Sequence, residues 1–312
     1  MYEFKYNLPG GIFDIVITMK IVFLNGGLAN QMFQYVLFRL GQILSPEEEW
    51  FLDDSFFYVN KVHNGYELEK VFGLHPNLLS NYFDGDVWEY MISEKQKGIS
   101  IPEQLRLNGI DIRLVSEYDN WKQWNPFNGR LDQLDGDFED WMLKLEGNIY
   151  YNGYGITESF FRRIEKVIRS EFLFPEISDE TNLKLCEDIR NSVSCAVHVR
   201  RGDYVTLGLT GTDELFDKTY NDWIGEMLDK VPDITVFLFT DDHDYCEAHF
   251  DRMGLDKPGK VIPVKGNSGD NAFRDMQLMS LCRHLIAGNS SFPYMASLLN
   301  PAPGEIMLHR YS

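Results

Sequence analysis

Apolar residues along this chain come in short runs, and the runs alternate with stretches of helical period. Residues 21–24 (IVFL) form the first run, closed by the turn signal Asn25-Gly26-Gly27. Behind it Phe33, Val36, Leu37, Leu40 and Ile43 recur at helical spacing, which predicts strand, glycine turn, helix. Residues 45–150 are harder to read. Aromatic and acidic residues crowd together there, and Asp84-Gly85, Asn108-Gly109 and Asn128-Gly129 mark turns with few legible elements between them. Residues 148–155 are strand-like, and 158–172 have helical period. From there the alternation is regular. A helix over 179–191 leads to CAVHVR, one over 217–230 to ITVFLFT, one over 243–250 to KVIPV and one over 273–283 to HLIAG; a final helix follows Asn289-Ser290-Ser291. Strands alternating with helices of this length predict βαβ units, a parallel sheet and an α/β fold.

Composition narrows the function. The chain has 312 residues, 44% hydrophobic and 25% charged, which suits a globular protein of one large domain or two smaller ones. A formal net charge of −19 repels nucleic acid and anionic lipid, so neither is expected as a partner. An anionic small ligand would need a local basic site. No apolar run approaches the roughly 20 residues that span a bilayer. The most apolar segment, IVITMKIVFL, is split by Lys20 and reads as a buried strand. The N-terminus carries Glu3 and Asp14 and lacks the layout of a signal peptide. Residues 1–18 read as an extension ahead of a natural start at Met19. Cys186, Cys195, Cys246 and Cys282 show no CxxC spacing, so reduced thiols in a cytoplasmic protein are expected, with no metal site.

Three polar clusters stand at the ends of predicted strands: HVRRGDY (198–204), TDD (240–242) and NSS (289–291). In doubly wound sheets, ligands bind beyond the carboxyl ends of the strands. Taken singly, each cluster has a plain reading: a solvated salt-bridge network, an acid-rich helix cap, a serine cap. Converging on one crevice, they describe a site for a nucleotide diphosphate. An arginine fork can take phosphate oxygens, Ser290 and Ser291 open a helix that favours anions, and Asp241 or Asp242 can accept hydrogen bonds from a purine. Alternation along the strand sends Arg200 and Arg201 to opposite sides, one to the crevice and one to an acid such as Asp203. The glycine turn GGLAN does not match GxGxxG, which removes an NAD-dependent oxidoreductase.

The residues also carry a resemblance. NGGLANQMFQY (25–35), YYNGYGITESFFRRIEKVIRSEFLF (150–174), HVRRGDY, FLFTDD (237–242) and DMQLMSLCRHLIAGNSSFPYMASLL (275–299) resemble, in this order, the motifs of the α-1,2-fucosyltransferases, glycosyltransferase family 11. The resemblance implies a GT-B-type fold with two Rossmann-like domains facing across a cleft: an acceptor-side domain over 19–157 and a GDP-fucose-binding domain over 158–312. It implies an inverting transfer of L-fucose from GDP-fucose to the 2-hydroxyl of a terminal galactoside on an oligosaccharide or glycolipid, with no cofactor and no essential metal. Peripheral association with the inner face of a membrane is compatible with it.

Carried onto this sequence, Arg200 binds the β-phosphate, while His198 and Asp241 hold the guanine end. Asn289, Ser290, Ser291 and Phe292 line the diphosphate and base beside Arg201. Asn30, in the turn of Gly26 and Gly27, faces the leaving oxygen or the fucose, and Asp203 is the nearest acid for a catalytic role. The sequence departs from the family pattern at Ala29, Ile156-Thr157, Gly288 and Pro293-Tyr294. Two other readings stand beside this one: a GDP-sugar transferase of different linkage, and a catalytically silent nucleotide- or sugar-binding module.

Overall fold

The structure, a computed structural model, describes residues 18–116 and 142–308. The extension expected over the first eighteen residues, Thr18 apart, and the turn at Asn128-Gly129 lie outside the described residues. The chain divides into two compact units, the first ending at Phe172 and the second beginning at Leu173.

The first unit runs β1 (Met19–Phe23), α1 (Leu28–Leu44), β2 (Glu49–Asp53), α2 (Ser55–Val59), α3 (Leu68–Phe72), α4 (Gly85–Gln96), α5 (Ile101–Leu107), β3 (Ile112–Ser116), β4 (Asn148–Asn152), α6 (Glu158–Arg163) and α7 (Glu165–Glu171). Its four strands pair in parallel in the order β2-β1-β4-β3. Met19, Ile21, Phe51 and Tyr150 share one buried face with Trp88, Met91 and Ile92 of α4 and with Ile101 and Leu105 of α5. Helix α1 buries Phe33, Val36, Leu37 and Leu40, as its periodicity predicts.

Three readings of the sequence change here. The helix expected over 158–172 is two short helices, because Ile164 takes φ −127° and interrupts the run. Those helices belong to the first unit rather than the second: Phe172 packs on Tyr35 and Phe72 at 5.5 and 5.0 Å, and Glu171 pairs with Arg39 of α1 at 2.7 Å. Asn108-Gly109 is the turn that closes α5, as read, whereas Asp84 is the N-cap that opens α4.

The second unit runs α8 (Glu180–Arg190), β5 (Ser194–Val199), α9 (Gly202–Thr206), α10 (Asp213–Lys230), β6 (Thr235–Thr240), α11 (His243–Ala248), β7 (Lys260–Pro263), α12 (Phe273–Leu281), β8 (His284–Ala287), α13 (Ser291–Leu299) and β9 (Ile306–Leu308). Its five strands are parallel, in the order β7-β6-β5-β8-β9. Helix α10 begins one turn earlier than its apolar pattern suggests, because Thr212 caps it by accepting from the Leu215 N–H at 3.3 Å. Phe216, Tyr220, Ile224 and Met227 then line its buried face against Cys195, Val197 and Val199. Full burial of each large apolar side chain contributes about 1.5–3 kcal/mol.

Both units are α/β with parallel sheets, the class the alternation predicts. The four cysteines are buried and unpaired, and burial pushes the Cys246 thiol up to about 11. No helix among the described residues is long and apolar enough to cross a membrane.

Candidate active site

In each sheet the strand order reverses once beside a central strand. In the second unit the chain leaves β5 for β6 and β7, then returns to β8 on the other side of β5. The loops after β5 and β8 therefore part company, and a crevice opens at their carboxyl ends. HVRRGDY and NSS occupy those two loops, and TDD follows the adjacent β6.

Cys195, Val197 and Val199 point into the core against α10, so His198 and Arg200 lie on the opposite face and Arg201 on the α10 side. Arg200 is one-third exposed. Its guanidinium pairs with Asp203 at 2.7 Å and with Asp241 at 2.8 Å, and it stands 5.7 Å from the Tyr204 ring centroid. Arg201 is buried. It lies 3.3 Å from the Tyr245 ring centroid and pairs with Asp213 at 3.1 Å and with Asp242 at 3.3 Å. Tyr245 is fixed in turn by donating to Asp217 at 2.7 Å, and Asp217 also meets His249 at 2.7 Å.

Asp241 is fully engaged. One carboxylate oxygen accepts the N–H of Arg201 at 2.8 Å and that of Gly202 at 3.2 Å, while the other pairs with Arg200. A side chain at Gly202 would have to push the Asp241 carboxylate aside, because a Cβ there would fall 2.7 Å from it. Asp242 caps α11, accepting from the Tyr245 N–H at 3.1 Å. Both acids of TDD thus hold arginines and backbone.

His198 is buried at the end of β5, and burial depresses its pKa to about 4, with Asp241 pulling it up and Arg200 pushing it down. The imidazole is neutral, its Nδ1 has no partner, and its ring centroid lies 6.2 Å from that of Phe292. Across the crevice, Tyr204 donates to the Asn289 carbonyl at 2.8 Å and joins the two loops. Ser290 stands at the N-cap of α13 with no side-chain cap bond, and the first turn carries no acid, so the positive end of that helix dipole is uncompensated from within. Pro293 falls in the first turn, where its missing N–H is tolerated. One helix earlier, burial pushes the Asp275 carboxyl up to about 6 although Asn267 donates to it at 2.8 Å.

The first unit has a corresponding reversal between β1 and β4. Buried Gln34 bridges the two loops there, accepting from the Asn25 N–H at 3.0 Å and donating to the Gly153 carbonyl at 3.1 Å. Gly26 has φ +75°, where a side chain would be strained, and a Cβ on it would fall 2.5 Å from the Asn30 amide. Gly27 is the N-cap of α1. Gly26, Gly27 and Asn30 therefore stand in the first unit. His198, Arg200, Arg201, Asp203, Asp241, Asn289, Ser290, Ser291 and Phe292 stand in the second. Sequence reasoning missed Tyr204, Gly202, Asp213 and Asp217. Tyr204 and Gly202 lie inside the quoted motif, but their roles depend on partners about 40 or more residues away.

The sequence profile of glycosyl transferase family 11 matches residues 132–309, more than half of the chain. The chain belongs to this family of glycosyltransferases. The Escherichia coli α-1,2-colitosyltransferase is 27% identical over 288 residues, covering 91% of this chain and 88% of that protein. The E. coli O-antigen biosynthesis glycosyltransferase WbnK is 22% identical over 304 residues, covering 91% of each. Among solved structures, the Bradyrhizobium α-1,6-fucosyltransferase NodZ, soaked with GDP-fucose, aligns with TM-score 0.46 and 17% identity over 91% of this chain and 93% of that one.

Proposed function

We propose that this family 11 glycosyltransferase moves L-fucose from GDP-fucose to the 2-hydroxyl of a terminal galactoside, with inversion at the fucose anomeric carbon. One observation carries the donor assignment. Arg200 stands at the switch point of the second sheet, its fork braced by Asp203 and Asp241 beside an α13 N-terminus that lacks acids. An arginine has five N–H donors, and the two carboxylates use one each, leaving three for phosphate oxygens. As the bond from the sugar to the β-phosphate breaks, negative charge grows on GDP. A fork already oriented stabilises that charge without reorganising. Arg201, wrapped by Tyr245, Asp213 and Asp242, supports the loop. The neutral His198, with an unpartnered Nδ1, suits the uncharged edge of a nucleobase. Asp241 is assigned to bracing Arg200, because both of its oxygens are taken.

A second donor is favoured by one finding, the similarity to a colitosyltransferase over most of both chains. Colitose is fucose without its 3-hydroxyl, so the two donors share the diphosphate and the base. The deciding experiment offers the protein GDP-fucose and GDP-colitose with a panel of β-galactosides, measures released GDP and assigns the product linkage by NMR. Acceptor-dependent GDP release from GDP-fucose with an α-1,2 product is expected. Turnover of GDP-colitose alone would replace the donor, and a different linkage would replace the regiochemistry. Binding of GDP without release from either donor would show a silent module.

A further inference from the structure

Beyond their last register pair, His198 with Ala287, β5 and β8 part, and the backbone ladder between them ends. Arg200 leaves on one side of the gap, and Ser290, which opens α13, on the other. Tyr204 reaches across. Its hydroxyl donates to the Asn289 carbonyl at 2.8 Å, and the Ser290 hydroxyl bonds to the same phenol oxygen. Ser290 accordingly caps no N–H of its own helix with its side chain. The Tyr204 ring centroid lies 5.7 Å from the Arg200 guanidinium carbon, within the range of a cation–π contact.

The packing of α9 supplies no core role for Tyr204. Gly202, Asp203, Val205 and Thr206 of this short helix are exposed, and Tyr204 is the residue that turns inward. It stands outside the apolar cluster in which Phe216, Tyr220, Ile224 and Met227 of α10 meet β5. The turn that carries the ring is itself fixed: the Val205 N–H donates to the Arg201 carbonyl at 2.8 Å and the Leu209 N–H to the Tyr204 carbonyl at 2.9 Å. Asp203 and Asp241 tie Arg200 to its own loop and to the end of β6. Tyr204 ties that loop to α13.

We infer that Tyr204 is a positioning residue: it sets the Arg200 fork and the N-terminus of α13 at the separation from which both hold the same diphosphate. This rests on the donor reading proposed above. A guanidinium and a helix N-terminus attract an anion independently. Two loops free to part would have to be brought together at the moment of binding, and that ordering is lost from the affinity. A bridge made beforehand removes the loss. Tyr204 acts through Arg200 and α13, and no covalent bond is made or broken at its hydroxyl.

The test titrates GDP and guanosine calorimetrically into full-length wild type, Tyr204→Phe and Tyr204→Leu, with melting temperatures measured alongside. Tyr204→Phe keeps the ring and loses the tie, and Tyr204→Leu loses both. Tyr204→Phe is expected to bind GDP about 3–10-fold more weakly, the span of one neutral hydrogen bond, and Tyr204→Leu more weakly again by roughly two- to fivefold. Guanosine, which lacks the phosphates, should bind all three proteins within about twofold. In an Arg200→Gln background, Tyr204→Leu should weaken GDP by a smaller factor than it does in wild type, because the ring then has no guanidinium to seat. A wild type that prefers GDP to guanosine, with Tyr204→Phe losing less than threefold in GDP affinity, overturns the inference and leaves the donor reading standing, whatever the melting temperature does. Equal weakening of both ligands, or a factor undiminished by Arg200→Gln, overturns it too. A wild type that binds GDP no better than guanosine removes the donor reading, and this inference with it.

Discussion

The two strand-order reversals in this protein share a topology and differ in chemistry. The one in the second unit is built from charge: Arg200 and Arg201 interlock with Asp203, Asp213, Asp241 and Asp242. The one in the first unit is built from amides and glycine. Gln31 and Gln34, both fully buried, tie its loops together with five hydrogen bonds, all to backbone groups, at Asn25, Gly26, Gly65, Glu67 and Gly153. A charged frame suits a substrate whose charge grows during reaction. A neutral frame would suit a hydroxyl-rich substrate that stays uncharged. In an acidic chain of net charge −19, an anion site has to be local, and Arg200 and Arg201 stand together in the second unit.

Substitutions can break this contrast. The largest effect is expected from Arg200→Lys, which keeps the charge and loses the fork. Its kcat should fall by about 10²–10³-fold, by analogy with loss of one oxyanion donor, while its melting temperature stays near wild type. A lowered melting temperature with near-normal kcat would make Arg200 structural. Next is Gln31→Leu in the first unit. It strands a buried N–H and two carbonyls, so denaturant unfolding should show a loss of about 2–4 kcal/mol. GDP affinity should hold. A parallel fall in GDP affinity would erase the division of labour.

Gly202→Ala follows. Its new Cβ displaces the Asp241 carboxylate and loosens the brace on Arg200. A cost of about 1–3 kcal/mol in chemical denaturation is expected, with kcat falling more than GDP affinity. Smallest is a pH effect from His198. Its folded pKa of about 4 lies below the ordinary imidazole value, so between the two the unfolded state binds the extra proton. Stability is therefore intact above that ordinary value and is lost as pH falls toward 4. Asp275, pushed up to about 6, works the opposite way, losing stability as pH rises from the ordinary carboxyl value. Comparing wild type with His198→Gln isolates the histidine. At pH 5.5 the variant should be spared about 1 kcal/mol of acid destabilisation relative to pH 7.5, measured by urea midpoints. An identical pH slope in both proteins would contradict the buried neutral ring.

The second unit was the more legible in sequence for the same physical reason that it is the more regular. Its strands are continuous apolar runs such as ITVFLFT, because parallel strands are buried on both faces. Its polar clusters follow them at once. In the first unit, α2 and α3 have five residues each, and α4 buries only Trp88, Met91 and Ile92, too few to set a period. Asp53 is fully buried under the Tyr150 hydroxyl, and Lys20 is fully buried against Glu48, so charges sit where a strand pattern predicts apolar residues. Asp84 looks like a turn because the residues that cap helices are also those that make turns. At the site, alternation separates the two arginines, but Asp203 pairs with the crevice-side Arg200 and not with the inward Arg201, which meets Asp213 and Asp242. The bond from the Arg201 N–H to Asp241, 40 residues further along the chain, is encoded by no local pattern.

The second unit is proposed to bind a nucleoside diphosphate through Arg200. Calorimetric titration of GDP and of guanosine into wild type and into Arg200→Gln tests it most directly. Guanosine shares the base and lacks the phosphates, so the difference between the two ligands isolates the diphosphate. GDP should bind wild type more tightly than guanosine, and Arg200→Gln should narrow the gap by about 1.5–3 kcal/mol, the range for hydrogen bonds to charged groups, with guanosine affinity unchanged. A gap of the same size in both proteins would place the diphosphate elsewhere.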